Sequence, residues 1–301
     1  MKKRETLNSK PEPRNRKLSI ILSPFKNSDM KKLLVAVLAL ISLGATAQHQ
    51  LEKLWSTDTI VAIPESVLPD FKKGVLYVSL IDGGGWDVDG KGGVARLSMD
   101  GKKYEGTWIS GLNAPKGLGM YGNKLYAADI SEVVVIDIDK GKIEKRIPID
   151  SAKGLNDITV TDNGVVYVSD SRTAKVWRIE NDKPVLFLDS MQGVNGLKAI
   201  GTDLYIASGK NFVKADGKKN ITKVAELAQG GDGIEPIGNG DFIVTAWGGW
   251  IWYVTPDGKA ETLLDTSKEK KNTADIGYDP VKRIVYVPTF NAKTVVAYQL
   301  K

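Results

Sequence analysis

A short pattern is written six times along this chain, and it restricts the possible folds more than any other feature. Each copy has a polar residue beside a glycine or an apolar residue. About eleven residues later comes a β-branched or aromatic run centred on tyrosine or, once, isoleucine. The leading residues are Glu65, Lys116, Asn156, Asn195, Asp232 and Asp275, and the central ones are Tyr77, Tyr126, Tyr167, Tyr205, Ile243 and Tyr286. The centres recur every 38 to 49 residues or so. A period near 40 made of strand signals alone is one propeller blade. Six copies predict an all-β, six-bladed β-propeller with four antiparallel strands per blade. Leu51–Ser56 is expected to pair with the strand over 294–300, so that the two termini close one blade and few sheet edges stay exposed.

The first 47 residues read differently. Met30-Lys31-Lys32 is a basic start, Leu33 to Leu43 an apolar run, and Ala45-Thr46-Ala47 a small-x-small cleavage pattern. That is a secretory signal peptide over 30–47, with 1–29 an upstream extension. Its apolar run is too short to span a membrane. The expectation is an exported, periplasmic or secreted propeller over 48–301 that is monomeric and has no stable membrane insertion. Of the 42 Lys/Arg and 36 Asp/Glu in the chain, ten and three fall in residues 1–47. The remainder holds 32 and 33 and is close to neutral. The basic balance belongs to the leader, so no nucleic-acid partner is expected.

The chain has no cysteine, which rules out disulfides in a compartment that would permit them. It has one histidine, His49, close to the start of the mature chain. Ser-His-Asp and Cys-His machinery and multi-histidine zinc sites are thereby excluded. Any chemistry must use carboxylates, amides, hydroxyls, lysines or a metal held through oxygen.

Two other stretches invite a functional reading. Gly85 to Lys91 has phosphate-loop spacing, but Gly92 stands where Ser or Thr is needed and no helix is predicted to follow. Asp82, Asp87 and Asp89 in the same stretch resemble a calcium loop. A long Gly/Asp hairpin explains both features. Trp247 to Tyr253 could stack a ligand, although packing between blades accounts for such an aromatic cluster.

Equivalent points on the innermost strands converge around the propeller axis. The six leading residues therefore form a ring of carboxylates, amides and one lysine. Carboxylates sharing one point repel unless a cation joins them, and these oxygens suit Ca²⁺, Mg²⁺ or Mn²⁺. A plain water-filled tunnel would also accommodate them.

Four segments carry a resemblance. Pro64-Glu65-Ser66-Val67, Leu155-Asn156-Asp157, Val194-Asn195-Gly196-Leu197 and Gly231-Asp232-Gly233 are similar, in that order, to the ligand segments of the gluconolactonase/regucalcin family of six-bladed propellers. The resemblance implies one divalent cation held by Glu65, Asn195 and Asp232. Calcium is the first candidate, and Mg²⁺, Mn²⁺ or Zn²⁺ the others. It implies ligand oxygens roughly 2.0–2.6 Å from that cation. Asp232 would also act as the catalytic base, and Asn156 would face a small-molecule substrate. The ring itself adds Lys116 and Asp275 on the far side of the same cavity as further substrate-facing candidates, where Lys116 could bind an acidic substrate group or pair with Asp275. The expected reaction is hydrolysis of a lactone or related ester. Gly154 stands where sugar-lactone members often carry an arginine, which places that substrate class in question. The alternative is a non-catalytic NHL-like propeller that binds a ligand or a protein.

Overall fold

A computed structural model describes residues 49–301 except Thr59; the expected leader lies outside the described residues. Six four-stranded antiparallel sheets follow one another along the chain, with two short 3₁₀ turns and no other helix among the described residues. The all-β, six-bladed propeller expected from the repeat is the fold. Five sheets are built from four consecutive strands. The sixth takes three strands from the C-terminal end and its outermost strand, Leu51–Ser56, from the N-terminal end. Leu51 pairs with Leu300 and Ser56 with Val296, so the closure falls where the sequence placed it.

The core is divided among the seams between blades. Six apolar clusters each join two neighbouring sheets, and each reaches the innermost layer: through Val67, Leu118, Ile158, Leu197 and Ile234 on innermost strands, and through Ile276 immediately before Gly277–Asp279. Burying β-branched and aromatic side chains at every seam, at about 25 cal/mol per Å² of apolar surface, is the main force holding the ring closed. Trp252 is buried in the seam between blades four and five, as the packing reading of that aromatic stretch requires. Trp247 is different. It is 46% exposed and meets Phe290 edge-on at 5.4 Å.

The innermost strands of the first five blades are Pro64–Asp70, Pro115–Tyr121, Leu155–Val160, Val194–Ile200 and Ile234–Gly238. In the first four of them the pairing slips near the start of the strand, and in the fifth it slips between Pro236 and Gly238. Pro64 pairs with Leu80 but Val67 with Val78, and the same extra residue occurs between Pro115 and Leu118, Leu155 and Ile158, and Val194 and Leu197. An extra residue on one strand is a β-bulge, which bends the strand and re-aims its side chains. The bulged pairs are Glu65-Ser66, Lys116-Gly117, Asn156-Asp157 and Asn195-Gly196. The bulge thus turns two successive side chains out of the blade towards the axis.

Glycine is required where successive bulges meet. A Cβ on Gly196 would lie 1.6 Å from the carbonyl oxygen of Asp232, and one on Gly117 would lie 2.6 Å from the backbone of Asp157. The second strands contribute hydroxyls to hold the bulges. Ser66, Asp157 and Gly233 donate their backbone N–H to Ser79, Ser169 and Thr245, at 2.9, 2.9 and 2.8 Å.

Candidate site at the tunnel mouth

Strand register sorts the axial residues into tiers. Tyr77, Tyr126, Tyr167, Tyr205 and Ile243 pair with Leu68, Gly119, Thr159, Lys198 and Glu235. Counting back from those partners, Glu65, Lys116, Asn156, Asn195 and Asp232 are equivalent. In the sixth blade Tyr286 pairs with Gly277, so the equivalent residue is Ala274. Asp275 stands one tier deeper, level with Ser66 and Asp157. The turn joining the first two strands differs in length between blades, so counting across it does not fix the register.

The tunnel below the mouth confirms the sorting. Its cavity, of about 250 Å³, is lined by Ser66, Asp157 and Asp275, with Lys198 and Glu235 beyond them, and none of the five mouth residues lines it. Asp275 accepts a hydrogen bond from the Ser66 hydroxyl at 2.5 Å. Asp157 accepts from the backbone N–H groups of Ile158 and Leu197, at 2.6 and 2.5 Å. Lys198 pairs with Glu235 at 2.8 Å. These deeper carboxylates tie neighbouring blades together, whereas the mouth carboxylates are less fully engaged.

Glu65, Asn156, Asn195 and Asp232 gather at the mouth. Asn195 donates its amide N–H to Asp232 Oδ1 at 3.0 Å. Asn156 donates to Ser171 Oγ at 3.0 Å, and Ser171 in turn donates to the Val194 carbonyl at 2.6 Å. Both amides thus spend their N–H groups on neighbours and leave their oxygens free. Asn156 Oδ1, Asn195 Oδ1 and Glu65 Oε2 are buried with no hydrogen-bond partner. Leaving a buried polar atom unpaired costs about 1–3 kcal/mol.

Charge at the mouth is also unbalanced. Burial, followed by the nearby Asp232 and Asp275, pushes Glu65 well above the usual carboxylate range, while Lys116 pulls it back. Asp232 is pushed up to about 8, chiefly by burial and then by Asp275, against the lowering effect of the Asn195 hydrogen bond. Asp275 rises to about 7, mainly through burial. Among the described residues no three His, Cys, Asp or Glu side chains form a metal-binding group by themselves. The mouth oxygens come from two carboxylates and two amides. They are all acceptors, and a hard cation fits such a set.

Lys116 does not pair with Asp275. Its Nζ donates to the carbonyls of Gly85 and Ala114, at 2.5 and 3.1 Å, and lies 3.9 Å from the centre of the Trp86 ring. Burial lowers it to about 8 against the attraction of Glu65. Trp86 belongs to the long connection between Val75–Leu80 and Gly92–Ser98. This connection is the predicted Gly/Asp hairpin and leads into a strand, as a phosphate loop would not. Asp89 within it pairs with Lys91 at 3.0 Å. Arg172 also approaches Trp86, with its guanidinium carbon 5.0 Å from the ring centre. Trp86, Ser171 and Arg172 carry no repeat signal. The length of the connection after Leu80 is the one sequence feature that could have brought Trp86 to notice.

No known protein-family model matches the chain, and no curated protein matches it in sequence. Solved structures do share its fold. A streptogramin B lyase structure is 12% identical with a TM-score of 0.59, covering 84% of this chain and 97% of that one. A catalytically inactive histidine-to-alanine variant of virginiamycin B lyase from Staphylococcus aureus, with quinupristin, is 15% identical with a TM-score of 0.59, covering 84% and 100%. The nidogen/laminin complex matches at 14% identity and a TM-score of 0.57, covering 67% and 80%. At such identities the likeness establishes the β-propeller architecture.

Proposed function

We propose that this chain is a divalent-cation-dependent hydrolase of a lactone or related ester, of the gluconolactonase/regucalcin kind, acting on a small molecule at the tunnel mouth. The observation that carries this reading is the set of unpartnered buried oxygens, Glu65 Oε2, Asn156 Oδ1 and Asn195 Oδ1, beside Asp232. Glu65, Asn195 and Asp232 would hold the cation, with Asn156 facing the substrate. When bound, a cation at this position polarises a carbonyl and makes water a better nucleophile. Asp232, held by the Asn195 amide, receives the proton taken from water. Its raised proton affinity suits a group that must accept and then release one near neutral pH.

The similar lyases point to different chemistry. One of them is inactive when a histidine is changed to alanine. The one histidine of this chain, His49, stacks on Tyr253 at 3.6 Å and bonds Glu261 at 2.9 Å, on outer strands of blade five. A histidine-dependent lyase reaction at the mouth therefore has no equivalent here.

A second reading is a non-catalytic binding propeller. It is favoured by the exposed Val185, Leu186 and Ile221 on the outermost strands of blades three and four. Calcium titration and metal analysis of wild type and Asp232→Ala, with lactone and ester turnover, separate the two. Metal and activity that disappear together in Asp232→Ala support the hydrolase. A wild type that takes up no divalent cation leaves the binding module. Export as a monomer with Gln48 as first residue belongs to the same proposal. N-terminal sequencing of exported material that retained residues 1–29 would overturn that part.

A further inference from the structure

We infer that the mouth carries an anion subsite formed by Lys116 and Arg172 around Trp86, so that the molecule it takes bears an acidic oxo group, carboxylate or phosphate. The inference rests on the hydrolase reading only in treating this mouth as the substrate entrance. Two cations share one indole ring, at 3.9 Å for Lys116 and 5.0 Å for Arg172. Among the described residues neither lies within ion-pair distance of a carboxylate. The two cations repel one another, and Glu65 and Asp129 attract Lys116 only from beyond ion-pair distance. An anion joining the two would relieve that repulsion.

The surrounding structure fixes Lys116 and leaves room for the exposed Arg172 side chain. Lys116 is buried, and two of its three N–H bonds go to the Gly85 and Ala114 carbonyls, which leaves the third for a ligand. Those bonds also tie the Trp86 connection to the mouth. Arg172 lies over Gly154. A Cβ at residue 154 would come within 2.6 Å of Arg172 Cγ, so glycine there is what lets the arginine lie across the entrance. The departure at Gly154 therefore leaves the entrance with a guanidinium, brought from residue 172. Ser171, the neighbour of Arg172, holds Asn156, so the anion subsite and the oxygen-lined site share one connection. Guanidinium and ammonium groups form their strongest hydrogen bonds with carboxylate and phosphate oxygens.

Calorimetric titration with three probes tests this: D-glucuronate, D-glucose 6-phosphate and D-glucose, which offer one sugar framework with a carboxylate, a phosphate or no charge. Each titration is run with and without calcium. At least one acidic probe should bind ten times more tightly than glucose, and the tighter of the two identifies the oxo group. Arg172→Gln should weaken that probe about tenfold while leaving glucose binding and the calcium titration unchanged. Tryptophan emission should respond to the acidic probe in wild type and not in Trp86→Phe. Acidic probes that bind no better than glucose, or not at all, overturn the subsite, as does an Arg172→Gln protein that binds them normally. An emission change that persists in Trp86→Phe places the acid elsewhere and also overturns it. Failure of the calcium titration alone removes the cation reading and leaves the anion result standing.

Discussion

Asp232→Asn should make the cation-free protein more stable at alkaline pH and abolish its response to calcium. Asparagine keeps the side-chain shape and an oxygen that can accept from Asn195, but it cannot ionise. Asp232 is 2% exposed, and its surroundings lift the carboxyl from the ordinary 3.8 to about 8. A carboxyl with a higher proton affinity in the folded than in the unfolded chain favours folding fully only below the unfolded value. That contribution is lost as pH rises from about 4 to about 8 and does not return above it. At about 1.36 kcal/mol per tenfold change in proton affinity, the loss between about pH 5 and about pH 8 is roughly 4 kcal/mol. For a domain of this size that is about 8–16 °C in melting temperature. Calcium at a hundred times its Kd would return about 2.7 kcal/mol to wild type. Thermal melts of both proteins, with chelator and with calcium, read these terms directly. Asp232→Asn also removes the repulsion that Asp232 exerts on Glu65, so the difference between the two pH slopes reads the loss of the Asp232 charge together with that relief. Equal slopes, together with a wild-type melt indifferent to calcium, would refute the account of the mouth.

Further outcomes are expected. Glu65→Gln and Asn195→Ala should each weaken calcium by tenfold or more, roughly 1.4 kcal/mol, in a calorimetric titration. Asp275→Asn, one tier deeper and bonded to Ser66, should stay within about twofold of wild type on the same scale. Gly196→Ala should cost more than about 4 kcal/mol or prevent folding, because its Cβ would collide with the Asp232 carbonyl. Gly85→Ala, with nothing within 4 Å and no unusual φ, should stay within about 0.5 kcal/mol in urea unfolding. Removing Leu51–Ser56 should expose the edge of the strand Val295–Leu300 and lower the melting temperature sharply, with aggregation visible by light scattering.

The fold was legible because it is written in short-range signals repeated at long range. Period-two runs give strands, turn dipeptides give hairpins, and the recurring distance gives blades. The closing pair could be read from what remained at each end. Five of the six mouth positions were legible for the same reason, and Asp275 was not. The repeat was anchored on the second strand, and the connection from first strand to second differs between blades by a residue or two. A one-residue slip is invisible in composition but changes which way a side chain points. Trp86 and Arg172 escaped for another reason. They stand on connections, where no pairing fixes the position and no period recurs, so only the folded chain brings them together.

The bulge explains how a repeated sheet acquires a site without losing its repeat. A regular inner strand alternates its side chains between the two faces of the blade, and both faces are packed against neighbours. Polar residues there would have to be buried in the seams. One extra residue in the ladder frees two successive positions from that alternation and turns them to the axis, while Val67 and its equivalents go back into the seams. Each blade then has two axial positions whose identity the core does not dictate. In the deeper one this chain has Ser66, Gly117, Asp157, Gly196, Gly233 and Asp275, small groups or acids that bond between blades. In the outer one it has Glu65, Lys116, Asn156, Asn195, Asp232 and Ala274, and of these Glu65, Asn156 and Asn195 leave buried oxygens unpartnered. The inner acids find protein donors, whereas three of the outer oxygens find none and Asp232 accepts from Asn195. Structural need accounts for the first tier, and under the function proposed above a cation from outside the chain would satisfy the second.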